Sequence, residues 1–337
     1  MSHVLQNKNG MSVSVLSLGG IIQCLTAPDR NGRYDDVVLG FDAAADYENG
    51  HPCFGALIGR YGNRISGGRF TIDGDEYVVA CNDGENHLHG GYRGFDKVNW
   101  SIDHPVDSHG QSVRLRYISA DGEEGFPGEL SATVLYTLGD DDEFRIDYKA
   151  TSTRPTPVNL TSHPYFNLAG QGGGSILDHE LEIVAAAYTP VGPDLIPIGS
   201  IDAVEGTPMD FRDAVAIGAR IDSPFEQLQH ADGYDHNWVL DDQEGTLKLA
   251  ARVTEPVSGR VMEVLTTEPG MQLYSANSLD NIHGKAGAVY GPRSGFCLET
   301  QHYPDSPNRP NFPSTILRPG ELYESTTIYR FTTIAAG

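Results

Sequence analysis

The sequence predicts an all-β fold, a large sandwich or barrel with few and short helices. Two observations predict it. Apolar and polar residues alternate with a period of two in run after run, and the runs recur at intervals of roughly ten residues. Between them lie 39 glycines and 20 prolines, the residues that punctuate turns.

The runs justify the elements in chain order. Residues 11–15 alternate Met, Val and Val with serines. Residues 69–72 and 76–79 flank Asp73-Gly74, and Asp-Gly suits the positive φ angles of a two-residue hairpin turn. Residues 113–117 place Val113, Leu115 and Tyr117 on one face and two arginines on the other. Residues 130–138 and 143–149 are strands joined by an acidic turn at 139–142. Residues 247–253 and 260–265 form another hairpin, and 321–331 is a β-branched, aromatic strand. Helices are expected at two places only. Residues 210–215 have an acidic start, and residues 225–229 fit one or two turns. The Gly-rich stretch 171–175 is the best linker candidate, but it is short and the strand pattern resumes beyond it. No fixed-period repeat appears. Residues 1–337 are therefore read as a single domain.

Composition narrows the function. Of 337 residues 39% are hydrophobic, enough for a full core. Asp and Glu number 46 against 23 Lys and Arg, a formal charge of -23. That excess argues against nucleic acid and against docking on anionic membranes. A neutral small molecule fits best. Cys24, Cys53, Cys81 and Cys297 show no C-x-x-C spacing and read as buried thiols rather than a disulfide framework. No basic segment followed by an apolar one opens the chain, and Ser, Gly, Gln and Thr interrupt residues 11–28. The expectation is a soluble, cytoplasmic protein, monomer or homodimer.

Five segments concentrate His, Asn, Asp, Glu and Arg beside Gly or Pro: residues 59–65, 85–91, 159–168, 232–238 and 295–302. Only a folded scaffold brings such distant segments together. Their motifs carry a resemblance. Asn86, Leu88, His89, Gly90 and Gly91 fit the pattern N-x-L-H-G-G of the aldose 1-epimerase (galactose mutarotase) family. Residues 161–168 fit its T-N-H-x-Y-F-N-L, with Ser162 in place of Asn. Residues 298–308 and 310–313 are similar to its C-terminal signature, and the likeness runs through nearly the whole chain.

The resemblance implies a galactose mutarotase-like β-supersandwich and interconversion of the α and β anomers of free hexoses, galactose and glucose first. The ring opens, the C1–C2 bond rotates, and the ring closes on the other face. A base takes the C1 hydroxyl proton while an acid protonates the ring oxygen, and no metal or organic cofactor is needed. Carried over by motif, Glu299 is the base, its pKa raised by Phe296, Cys297 and Leu298 excluding water. His163 is the acid, its pKa raised by nearby carboxylates. His89 hydrogen-bonds the ring oxygen or a neighbouring hydroxyl. Asp235, Arg64, Asn63 and Gln272 hold the sugar. His87 would share a strand face with His89, but two imidazoles without a third ligand make a weak zinc signal, so His87 reads as solvated or packed. Tyr165, Phe166 and Trp238 read first as core. Ser162 leaves the orientation of the His163 loop less secure, and Pro164 stiffens it. Two other readings share the scaffold: a sugar-binding protein without turnover, and a mutarotase of phosphorylated sugars drawing on Arg60 and Arg69 beside Arg64.

Overall fold

Alternation decides which face of each strand is buried, and it assembles the largest sheet. The computed structural model describes residues 2–107, 109–240 and 245–334. Nine antiparallel strands lie in the order Ser101–Asp103, Gly110–Ser119, Leu130–Gly139, Glu143–Ser152, Tyr323–Thr333, Arg260–Thr266, Lys248–Thr254, Glu180–Ile183 and Val215–Ala216. Leu115, Val134, Tyr136, Ile146 and Tyr148 bury their side chains in the main core. The opposite positions carry ion pairs such as Arg114–Asp103 and Arg252–Glu263. The expected C-terminal strand lies mid-sheet, between Glu143–Ser152 and Arg260–Thr266.

A second sheet places the site. Its five strands run in the order Asp202–Ala203, Ala187–Thr189, Asp235–Val239, Gly270–Tyr274 and Cys297–Gln301. Trp238, Met271, Leu273 and Leu298 belong to the same core as the large sheet. Thr300 Oγ1 meets Thr327 Oγ1 of the large sheet at 2.5 Å. The alternate positions Asp235, Gln272 and Glu299 therefore face away from that core. A four-stranded N-terminal sheet, Ser2–Gln6 to Tyr34–Asp36, adds Val13, Val15 and Leu25 to the core.

The Asp-Gly hairpin forms as expected. Strands Arg69–Ile72 and Asp75–Val78 join through Asp73 at φ 54 and Gly74 at φ 95. The other two expected hairpins form as well. Residues 171–175 are a turn tied to the body by Gln171, whose N–H donates to Asp36 O at 2.7 Å. Among the described residues the α-helices are α1, Ala44–Glu48, and α2, Glu226–Ala231. The second is the helix expected at 225–229. The first was not foreseen.

The helix expected at 210–215 does not form. Phe211 gives its carbonyl to the Ile183 N–H at 2.7 Å, and Val215 pairs with Leu181 in the large sheet. Asp210 binds the Arg212 guanidinium instead of capping a helix. Sheet partners claim the backbone groups that a helix over these residues would need for its own hydrogen bonds. The cysteines also differ from expectation. All four are free, but only Cys297 is fully buried and the others are half-buried. No described helix is long and apolar enough to cross a membrane.

Candidate active site

The outer face of the second sheet, the strand Thr161–His163 and the loops around Asn63 and His89 enclose a cleft of about 330 Å³, within the range of small-molecule sites. Asn63, Arg64, His89, His163, Asp235 and Glu299 line it. Gln272, the seventh expected residue, is not on the wall. It lies behind Asp235 and donates from Nε2 to Asp235 Oδ1 at 2.7 Å.

Glu299 and His163 meet at the cleft floor. Glu299 is 2% exposed and His163 4%. His163 Nε2 lies 3.5 Å from Glu299 Oε1, and Glu299 Oε2 has no hydrogen-bond partner among the described residues. Burial, then the charge of Asp235, pushes the Glu299 carboxyl well above its ordinary range, with Arg64 acting the other way. His163 departs from expectation. Burial outweighs the pull of Asp235 and lowers its imidazole from 6.5 to about 4. The cause is the site's dryness: desolvation penalises the imidazolium more than one distant carboxylate favours it. His163 also stacks on Tyr165, with ring centroids 5.0 Å apart and planes at 24°.

His89 stands edge-on to His163 at 5.3 Å. Its Nδ1 accepts the Asn63 N–H at 3.1 Å, and burial holds it neutral. A neutral ring with an accepting Nδ1 carries its proton on Nε2, so it offers a donor. This bears on metals. His89, His163 and Glu299 place ligand atoms within 4.8 Å of one another, a two-histidine, one-glutamate set of a kind zinc uses. The set does not fit a metal, because neither nitrogen of that His89 tautomer has a free lone pair.

Arg64 is pinned between carboxylates, with Nε 2.8 Å from Asp83 Oδ2 and Nη1 3.6 Å from Asp235 Oδ2. Asn63, at φ 65, accepts the Arg64 N–H on its own Oδ1 at 2.9 Å. The left-handed turn thus aims both neighbours at the cleft.

The remaining expectations sort by geometry. His89 sits at φ 52, so His87 and His89 do not share a strand face. His87 is packed: Nδ1 is 2.7 Å from Ala80 O and the ring stands on Phe126. Ser162 lies between Thr161 and His163 on a strand paired with Ala56–Ile58, so it faces away from the cleft and His163 is held by sheet register rather than by a loop. Arg60 is buried on the carbonyls of Ser119, Ala120, Pro127 and Gly128. Arg69 pairs with Glu76 on the surface. Among the described lining residues Arg64 is the one permanent cation, and both its neighbours are acids. Trp238 and Phe166 are core, and Tyr165 lines the cleft. Sequence reading missed Tyr274, Asn277, Leu195 and the Arg64 partner Asp83. Each comes from a loop or strand end without a motif, so only the fold reveals it.

Comparison with known proteins agrees with this geometry. The aldose 1-epimerase family model matches residues 1–330. Galactose mutarotase of Rattus norvegicus is 49% identical over 322 residues, covering 95% of this chain and 91% of that protein. Aldose 1-epimerase of Escherichia coli strain K12 is 38% identical over 329 residues, covering 97% and 94%. The crystal structure of an aldose epimerase homologue from C. elegans has a TM-score of 0.88 at 29% identity and covers 99% of each chain. Whole-length identity, shared fold and a buried carboxylate–imidazole pair in a small cleft agree: the chain belongs to the aldose 1-epimerase family.

Proposed function

We propose that the protein is an aldose 1-epimerase that interconverts the α and β anomers of free hexoses such as galactose and glucose. The observation that carries the reading is the Glu299–His163 pair, 3.5 Å apart on the floor of a small cleft. One proton is held between the two groups. In the ion-pair form Glu299 takes the C1 hydroxyl proton, the C1 carbonyl forms, the C1–O5 bond breaks, and O5 takes the His163 proton. Rotation about C1–C2 presents the other carbonyl face. O5 then attacks C1, its proton returns to His163, and Glu299 returns the other to O1. Burial favours the neutral form of the pair, so sugar hydroxyls must stabilise the charged one.

The other groups fit a neutral polyol. His89 donates from Nε2 to a sugar oxygen. Arg64 and Asn63 donate to hydroxyls, and Asp235 accepts from them, oriented by Gln272. Residues 1–337 act as one domain in this reading, supported by the C-terminal strand lying mid-sheet. The small-molecule aldose is the partner, and the cytoplasm is the proposed compartment. Polarimetry of freshly dissolved α-D-glucose and α-D-galactose tests the reading. The expected result is accelerated relaxation for at least one of them. Relaxation at the buffer rate for a panel of aldoses refutes it.

A further inference from the structure

A second depression of about 380 Å³ adjoins the cleft, and Arg64 and Leu195 line both. Arg64 is fixed by its two carboxylates. Leu195 is the half-buried tip of a tight loop. Val191 and Pro197 bridge the loop's base. The Leu195 N–H donates to Gly192 O and the Gly192 N–H to Ile196 O, each at 2.9 Å. The loop is clamped from α2: Gln227 Oε1 accepts the Val191 N–H at 2.7 Å, and Gln227 Nε2 donates to Val191 O at 2.9 Å. That helix also gives Ala231 to the cleft wall. The tip is therefore rigidly aimed.

Leu195 holds φ 59, a left-handed conformation that glycine and asparagine adopt at little cost and leucine does not. Strain of this kind persists where the surrounding structure holds it, and it clusters at active sites and ligand clamps. The cleft wall sets hydrogen-bonding groups beside an apolar share made by Leu88, Leu195, Ala231 and the rings of Tyr165 and Tyr274, and the ring of an aldose likewise presents both hydroxyls and C–H surface. Beyond Leu195 the second depression is walled by Asp83, Glu85 and Asp194.

We propose that Leu195 is a specificity-determining residue: its side chain packs on the C–H surface of the bound ring and is the partition that closes the sugar cleft against the adjoining depression. This rests on the mutarotase reading. A substituent on that ring must displace Leu195 to enter the second depression.

Wild type, L195A and L195G, assayed on glucose and on maltose, test this, because the two sugars share a reducing ring. In both variants KM for glucose should rise about tenfold while kcat stays within about twofold, and the maltose-to-glucose ratio of kcat/KM should rise at least about fivefold. L195G should melt no lower than L195A, since glycine relieves the left-handed strain. KM and the substrate ratio both at wild-type values would overturn the partition. Calorimetric Kd values for glucose and maltose read the same ratio without turnover. A wild type that binds glucose and does not turn it over ends the mutarotase reading and leaves the Kd ratio to decide Leu195.

Discussion

Glu299 and His163 show how one environment sets two roles. Both are buried, and burial moves their proton affinities in opposite directions, up for the carboxyl and down for the imidazole. Activity needs one proton on the pair. The acid limb of kcat/KM is where a second proton arrives, and His163 at about 4 takes it late. The sign follows: activity holds as pH falls through 6.5 and is lost only on approach to pH 4. A pH–rate profile with its acid limb near 6.5 would contradict this. Glu299→Gln keeps size and removes the base, so kcat should fall by about two to four orders of magnitude with an unchanged circular dichroism spectrum. Wild-type turnover by that variant would remove Glu299 from the mechanism. Both residues were legible from the motifs. The sign of the His163 shift was not, because sequence shows the carboxylates and not the missing water.

Among elements, hairpins were the most legible and short helices the least. Asp73-Gly74 specifies its turn locally, since the required positive φ angles are cheap for these two residues. Gly74→Ala meets no neighbour within 4 Å, so its cost is backbone strain alone. A loss of about 1 kcal/mol is expected, read as a lower urea midpoint with unchanged slope; an unchanged midpoint would show that the turn adapts. Residues 210–215 failed for the converse reason. Their local acidic start was outbid by a tertiary partner, the Ile183 N–H that claims the Phe211 carbonyl. The strand Cys297–Gln301 lies between these cases. Its alternation fixes which residues share a face, but only pairing with Gly270–Tyr274 sets Gln272 opposite Glu299.

At the scale of the whole molecule, buried histidines make stability depend on pH. Burial lowers the pKa of six of them, His51, His87, His89, His163, His179 and His236. Unfolded, each binds a proton near pH 6.5. Folded, those with a resolved value wait until about 4 or about 3. Between pH 6.5 and 4 the unfolded state therefore holds more protons, and stability falls as pH falls, by up to about 1.4 kcal/mol per pH unit for each group. Glu299 and Asp96 run the other way, their raised pKa values favouring the folded state at low pH, but they are two groups against six. The thermal midpoint should drop steeply from pH 6.5 to 4.5. A flat midpoint there would show that these rings are hydrated in solution.

By itself the sequence determined the β class, the hairpins and the chemistry-bearing side chains, because a period of two, an Asp-Gly turn and a run of catalytic residue types are local properties of a chain. Only the tertiary structure decided that Glu299 faces His163 rather than solvent, that Gln272 serves Asp235 from behind the wall, and that Arg60 is a core anchor instead of a phosphate ligand. It also decided that Leu195 lines both the cleft and the depression beside it. Those outcomes depend on which distant strands pair and on how much water their packing expels, and neither is written in any one stretch of residues.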